Sequence, residues 1–350
     1  MNIADFNAGD RIVGQFLLAD AKKGVKDNGA TYWSMILQDC SGTLDAKKWD
    51  YLPTDDAILV KGNVVQLDGE VLKYRNALQV KVRSVEAVDQ DHVEWARFIA
   101  CAPMAASVMK AKMELCLNSI KDPDIGEVTR AYIQDFLDDF LTYPAAVRNH
   151  HDYLGGLLFH SLTMADLAVN VCRVYPNLNR DLVLAGVLIH DIGKTIELSG
   201  VRGTQFTMEG KLLGHISIGH AEFRKKAQEL GYYAIDDLPE EEQAKHPELA
   251  KRKEVAVLLE HIILSHHTKP EFGSPVMPAT REALVVAMVD DLDAKMNILD
   301  KAYRPVDPGT VTARLFNMDD RYFYKPVFVE EGKDPGLSLD QLTKDLLEGK

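Results

Sequence analysis

The hydrophobic period of this chain changes once, near residue 90, and that change limits the folds open to it. Before it, short runs alternate apolar and polar residues: RIVGQFLLAD from Arg11, TYWSMILQDC from Thr31, GTLDAKKWD from Gly42, AILVKGNVVQL from Ala57 and EVLKYRNALQVKVRSV from Glu70. Gly24, Asn28-Gly29, Ser41-Gly42, Pro53 and Asp68-Gly69 supply the breaks. Five strands in about 75 residues suit a small barrel rather than a βαβ unit. From about Asp91 the apolar residues recur at spacings of three and four, in DHVEWARFIA, MAASVMKAKMELCLNSI, EVTRAYIQDFLDDFLTY, YLGGLLFHSLTMADLAVNVCRVY, RDLVLAGVLIHDIGK, EGKLLGHISIGHAEFRKKAQEL, ELAKRKEVAVLLEHIILSHH and REALVVAMVDDLDAKMNILDKAY. The sequence therefore predicts an α+β multidomain protein, with a five-stranded barrel over 1–90, an all-α domain over 91–304 and an extension over 305–350. Pro305 to Pro335 reads as irregular or short-strand structure, and Ser338 is placed to cap a last helix, LDQLTKDLLE.

Charge and cysteine usage narrow the classes. The formal net charge of −13 opposes nonspecific attraction to a polyanion. Residues 1–90 carry only −2 of it, from 11 Lys+Arg against 13 Asp+Glu, so a nucleic-acid site would be a local patch. Cys40, Cys101, Cys116 and Cys172 are scattered, without a C-x-x-C pair, and read as buried reduced thiols rather than a zinc ribbon or a disulfide framework. The longest strongly apolar run, Leu182 to Ile189, is too short to cross a bilayer. MNIADFNAGD lacks the basic start and apolar region of a signal peptide, so the expectation is a cytoplasmic protein without a membrane partner.

The chemistry concentrates in LAGVLIHDIGKTIEL, where a hydrophobic helix delivers His190, Asp191 and Lys194. Burying an unpaired carboxylate costs several kcal/mol, and a metal ion is the partner that relieves it. Other histidines fall at or beside helix ends: His150, His151, His160, His215, His220, His261, His266 and His267. One such histidine alone reads as a hydrogen-bonded core residue. Their order with the aspartates, His160, His190-Asp191, His215, His266-His267 and Asp290, resembles the HD-domain metallophosphohydrolases.

That resemblance implies His160, His190, Asp191 and Asp290 around a first ion, and His215 and His266 around a second, with Asp191 bridging. Imidazole and carboxylate suit Mn²⁺ first, with Fe²⁺, Co²⁺, Ni²⁺ and Mg²⁺ as alternatives, bound as one or two ions. Lys194 would then reach a phosphate oxygen, or else be a solvated helix-end lysine, and His267 would hold the nucleophile or protonate the leaving oxygen. In LVVAMVDDLDAKM the apolar stripe of Leu284, Met288, Leu292 and Met296 lies nearer to Asp291 than to Asp290. The family pattern points instead to Asp290, leaving Asp291 and Asp293 as exposed carboxylates or supports behind the ligands.

Longer phrases narrow the resemblance. HHDYLGGLLFHSL, EGKLLGHISIG, LSHHTKPEFGSP, DDLDAKMN and TARLFNMDDRYFYKP are similar to the OB-fold plus HD-domain 3′→5′ exoribonucleases of the YhaM type. Two positions depart from that family: Thr268 stands where glycine is expected, and Phe159 where an acidic residue is expected. KPEFGSP has neither the acidic residue nor the GYP triplet of a cyclic-dinucleotide phosphodiesterase. ILQDCSGTLDAKKW resembles the strand, turn and strand at the front of OB-fold nucleic-acid-binding domains. Candidates for stacking and a basic track are Tyr32, Trp33, Lys47, Lys48, Trp49, Lys73, Tyr74 and Arg75. Alternation sends Tyr32 and Trp33 to opposite faces, so only one of them can serve, while Trp49 and Tyr74 are open to either fate. The resemblance implies an exonuclease on single-stranded RNA that releases nucleoside 5′-monophosphates, with DNA as a further substrate. A nucleotide phosphohydrolase with an accessory barrel and a non-catalytic binding protein are the alternatives. A homo-oligomer would gather the barrels at one entrance, an arrangement that no residue in the sequence fixes.

Overall fold

The computed structural model describes residues 2–75, 77–147, 151–200 and 204–328, so His150 and the helix expected after Ser338 lie outside the described residues. Two compact units emerge, Met1–Cys101 and Ala102–Lys350.

In the first unit, β1 (Arg11–Val25), β2 (Thr31–Asp39), β3 (Gly42–Lys48), β4 (Val64–Tyr74) and β5 (Ala77–Ala87) close into a barrel in the order β1-β2-β3-β5-β4. Closure follows from the length of β1. Its first half pairs with β4 through Leu17, its second half pairs with β2, and a bulge between Leu18 and Asp20 bends it from one partner to the other. Strands β3 and β5 meet in parallel over Asp45–Lys47. Trp33, Met35 and Leu37 alternate into the core with Phe16, Leu18, Leu67 and Val80, which turns Tyr32, Ser34 and Ile36 outward.

Several strand expectations shift. AILVKGNVVQL is not one strand: Asp55–Ile58 forms the short helix α1, and β4 begins only at Val64. EVLKYRNALQVKVRSV is divided between two strands, β4 and β5, rather than being one. Asp68-Gly69 lies inside β4 rather than at a turn, opposite a bulge at Arg83 of β5, and a Cβ at Gly69 would lie 2.8 Å from Val80 and 3.0 Å from the Lys81 carbonyl. DHVEWARFIA gives two short 3₁₀ turns, Gln90–His92 and Trp95–Arg97, not a helix. Those turns pack onto the barrel. Gln90 exchanges hydrogen bonds with Val64, and Phe98 is buried against Leu17 and Val64, which carries the first unit past residue 90.

The second unit is helical: α2 (Ala106–Asn118), α3 (Pro123–Asp135), α4 (Leu137–Thr142), α5 (Gly156–Val174), α6 (Arg180–Ile189), α7 (Lys194–Glu197), α8 (Met208–Glu229), α9 (Glu240–Gln243), α10 (Pro247–Ser265) and α11 (Arg281–Tyr303). Asn179 caps α6, whose residues Leu182 to Ile189 are all buried. A helix apolar all round belongs in the middle of a bundle, and α6 touches α3, α5, α10 and α11. Helix α5 is long and apolar enough to span a bilayer by length and composition, and half of that stretch is buried in this core. Residues 305–328 are irregular apart from one short 3₁₀ turn, Phe316–Met318, and two isolated bridges, Val311 with Tyr324 and Leu315 with Arg321. Cys116 and Cys172 are partly buried, whereas Cys40 and Cys101 are exposed, contrary to the expectation for all four.

Candidate metal centre

Helix α6 stops at Ile189, and the next turn presents His190 and Asp191 at the centre of the helical unit. Glycine makes the close packing there possible: a Cβ at Gly193 would sit 2.1 Å from the His215 carbonyl oxygen. Across this contact α8 breaks at Gly214 (φ 73°), and the His215 N–H that follows donates to Glu197 Oε1 at 3.0 Å. Helix α5 contributes His160, α10 ends at His266-His267, and α11 contributes Asp290.

These side chains converge. His190 Nε2 lies 3.3 Å from Asp191 Oδ2, and His215 Nε2 and His266 Nε2 lie 3.3 and 3.5 Å from Asp191 Oδ1. His160 Nε2 is 3.1 Å from Asp290 Oδ1 and 3.9 Å from Asp191 Oδ2, and His267 Nε2 is 3.8 Å from Asp290 Oδ2. Ligand atoms of His160, His190 and Asp191 fall within 4.8 Å of one another, and so do those of Asp191, His215, His266 and His267. Asp191 belongs to both groups.

Each ring is held from behind. Nδ1 faces Asp293 Oδ2 in His160 (2.6 Å), the Val187 carbonyl in His190 (2.8 Å), Glu197 in His215 (3.1 Å), the Ile263 carbonyl in His266 (2.7 Å) and the Phe272 carbonyl in His267 (2.8 Å). Such contacts place the proton on Nδ1 and the lone pair on Nε2. Nε2 of His190, His215 and His266, and Asp191 Oδ1, are buried without a hydrogen-bond partner. Buried polar atoms are rarely left so, and divalent cations sharing the Asp191 carboxylate would satisfy them. The donor set therefore fits a metal such as Mn²⁺.

The charges agree with that fit. Burial pushes the Asp191 carboxyl up, but the Lys194 ammonium beside it, ahead of the surrounding imidazoles, outweighs burial, so Asp191 stays well below the usual carboxylate range. Burial, followed by the neighbouring His267, lowers His266 to about 3, which keeps it a neutral ligand. Burial alone would lower His160, yet Asp290 and Asp293 on either side raise it to about 10, so a cation bound at its Nε2 would displace a proton from that nitrogen. Lys194 is buried, not solvated, with Nζ 2.6 Å from Asp191 Oδ2.

Two histidines stand apart. His220 pairs with Glu260 at 3.4 Å, and His261 accepts from the Ala279 N–H at 2.8 Å, so both are hydrogen-bonded structural residues.

Residues 157–295 match the HD domain family. The chain is 38% identical over 327 residues, 93% of its length and 95% of the relative's, to the 3′-5′ exoribonuclease YhaM of Geobacillus sp. (strain WCH70). The chain belongs to the YhaM family. Among solved structures, it is similar to the second OB-fold domain of replication protein A from Methanococcus maripaludis, at 18% identity over 25% of this chain and 94% of that one, with a TM-score of 0.22. It is also similar to an OB domain from Thermoplasma acidophilum, at 15% identity over 25% of this chain and 86% of that one, with a TM-score of 0.20.

Both departures from the YhaM pattern have a visible consequence. Thr268 adopts φ 67°, the left-handed region where glycine has no steric penalty. The Phe159 ring lies 5.7 Å from that of His151, whose ring is in turn 5.3 Å from that of His160. Sequence reasoning missed Glu197 altogether; a lone carboxylate three residues after Lys194, amid apolar neighbours, was the available signal.

The YhaM-family barrel offers a second candidate surface. Tyr32 stacks on Trp49 with centroids 4.9 Å apart, Lys47 Nζ lies 5.6 Å from the Tyr32 ring and Lys26 Nζ 5.1 Å from the Trp49 ring. Trp33 is core, so of the adjacent aromatics Tyr32 is the one available to a ligand. Trp49 and Tyr74 are exposed, and the Arg75 guanidinium lies 5.3 Å from the Tyr74 ring at the tip of the β4–β5 hairpin. Lys48 leaves the basic track, because it is buried and its Nζ bonds Asp55 Oδ2 at 2.6 Å, tying α1 to β3.

Proposed function

We propose that this chain is a metal-dependent 3′→5′ exoribonuclease that hydrolyses phosphodiester bonds of single-stranded RNA and releases nucleoside 5′-monophosphates. The observation that carries this reading is the convergence of partnerless Nε2 atoms on one buried aspartate. RNA and the 3′ end come from the YhaM relationship.

His160, His190, Asp191 and Asp290 would hold a first ion, and Asp191, His215, His266 and His267 a second, with Mn²⁺ the leading candidate. When bound, the ions lower the pKa of water and neutralise charge on the phosphorus under attack. Lys194, held in place by Asp191, brings a fixed cation to the developing charge on a phosphate oxygen. His267 donates through Nδ1 to the Phe272 carbonyl, which leaves its Nε2 as a lone pair. That geometry suits a ligand or a proton acceptor, and it argues against the role of acid toward the leaving oxygen. Tyr32 and Trp49 supply stacking faces, with Lys26 and Lys47 beside them to follow the phosphate backbone.

The test is a 5′-labelled single-stranded oligoribonucleotide mixed with chelator-stripped protein before and after addition of Mn²⁺. The expected result is a ladder shortening from the 3′ end only after metal is added. Cleavage of free nucleotides as fast as of the oligomer would favour the phosphohydrolase instead.

A further inference from the structure

Behind His160 lies a second layer of buried groups with no part in the chemistry above. Asp293 is three residues beyond Asp290, so α11 sends both carboxylates to one face. A single oxygen of Asp293, Oδ2, faces His160 Nδ1 at 2.6 Å and His151 Nε2 at 2.7 Å. The other nitrogen of His151 faces the Tyr153 hydroxyl at 2.6 Å, and the His151 backbone N–H donates to Asn297 Oδ1 at 2.9 Å. Asp293, His151 and His160 are all buried.

Hydrogen-bond chemistry fixes the protons in this chain. An ionised carboxylate only accepts, so both imidazole nitrogens at Asp293 carry hydrogens. His151 Nδ1 is then an acceptor, and Tyr153 donates to it. His160 Nε2 is left to point at Asp290 and Asp191. His151 reaches its position at φ 44°, in the left-handed region that a non-glycine residue occupies only when its surroundings hold it there. The restraint is visible: its carbonyl accepts from Ala145 at 3.0 Å, and a Cβ at Gly156 would lie 2.0 Å from that same oxygen. Backbone strain, the His151 imidazole and one carboxylate oxygen are all spent on the orientation of the His160 ring.

We infer that His151 and Asp293 are positioning residues that lock His160 as an Nε2 ligand of the metal centre, with Tyr153 and Asn297 holding His151. The inference rests on the metal reading above and extends it to residues that touch neither ion nor RNA. Support of this kind typically changes metal affinity about 10–100-fold when removed.

The experiment is calorimetric titration of Mn²⁺ into chelator-stripped full-length protein. Asp293→Asn is expected to weaken binding about 10–100-fold, with His151→Gln following in the same direction. Asp291→Asn, an exposed neighbour paired with Lys295 at 2.6 Å, should bind as the parent does. Excess Mn²⁺ should restore kcat of the two relay variants while KM for RNA stays unchanged, a split that a merely unfolded site would not give. Tyr153→Phe keeps the ring and removes only the donor, so a several-fold loss of affinity there supports the relay even if a larger change fails to fold. Equal Mn²⁺ affinity in parent, Asp293→Asn and Tyr153→Phe would overturn the relay while leaving the metal centre in place. A parent that binds no Mn²⁺ would overturn both.

Discussion

The two units place their aromatic and charged groups in opposite ways. On the barrel, aromatic and cationic groups lie at the surface: Trp49 is 38% exposed, and the partly exposed Lys26 places its Nζ 5.1 Å from that ring. In the helical unit the decisive charges are buried, Asp191 to 1% exposure, and each is enclosed by imidazoles. Exposed charges are screened by salt and tolerate substitution. Buried ones act at short range, and each depends on its neighbours. The barrel surface therefore suits grip without a fixed register, while the buried centre suits chemistry at one phosphorus.

The widest separation between the units should come from Asp191→Asn. This variant keeps the shape of the side chain but removes the charge shared by both ligand groups, and cleavage of the labelled oligomer should fall by more than about 10²-fold. Oligonucleotide affinity, measured by fluorescence anisotropy, should remain within about twofold, because the stacking surface belongs to the other unit. A parallel loss of binding would break the division of labour. Trp49→Ala reverses the pattern: affinity should drop by about 1–3 kcal/mol and hydrolysis of a base-free phosphodiester should not change. Its binding should also weaken with added salt, as phosphate contacts require. The smallest effect is expected at Thr268→Gly, which relieves a left-handed threonine beside the paired histidines and should stabilise the protein by about 1 kcal/mol, read as a higher Tm.

Much of this arrangement was legible in residues. Alternation and glycine turns mark a five-stranded barrel, and the resemblance of His160, His190-Asp191, His215, His266 and Asp290 to the HD-domain pattern marks a set that the fold gathers. What misled was the apolar stripe of α11. Leu284, Met288, Leu292 and Met296 are each between 46% and 63% exposed, while the same helix buries Asp290 and Asp293 beside Ala283, Val286 and Val289. A helix that must deliver carboxylates to a buried centre turns its polar residues inward, and the usual rule of apolar faces then fails for a physical reason. Asp291, favoured by the stripe, is exposed and paired with Lys295. Lys48 escaped a correct reading, and the choice between Tyr32 and Trp33 stayed open, because only tertiary packing separates a surface lysine from a buried partner of Asp55, or an outward aromatic from a core one. Gly69 was legible as a break in regular structure, but a close approach between strands and a turn demand the same residue.

The central claim is that His190, Asp191, His215 and His266 meet around a divalent cation. Crystals soaked in Mn²⁺ and measured on both sides of the manganese absorption edge test it without recourse to activity. The account predicts an anomalous peak bounded by those Nε2 atoms and the Asp191 carboxylate, and its loss in Asp191→Asn. A native crystal with no peak there, or with manganese bound only at other residues, would contradict it.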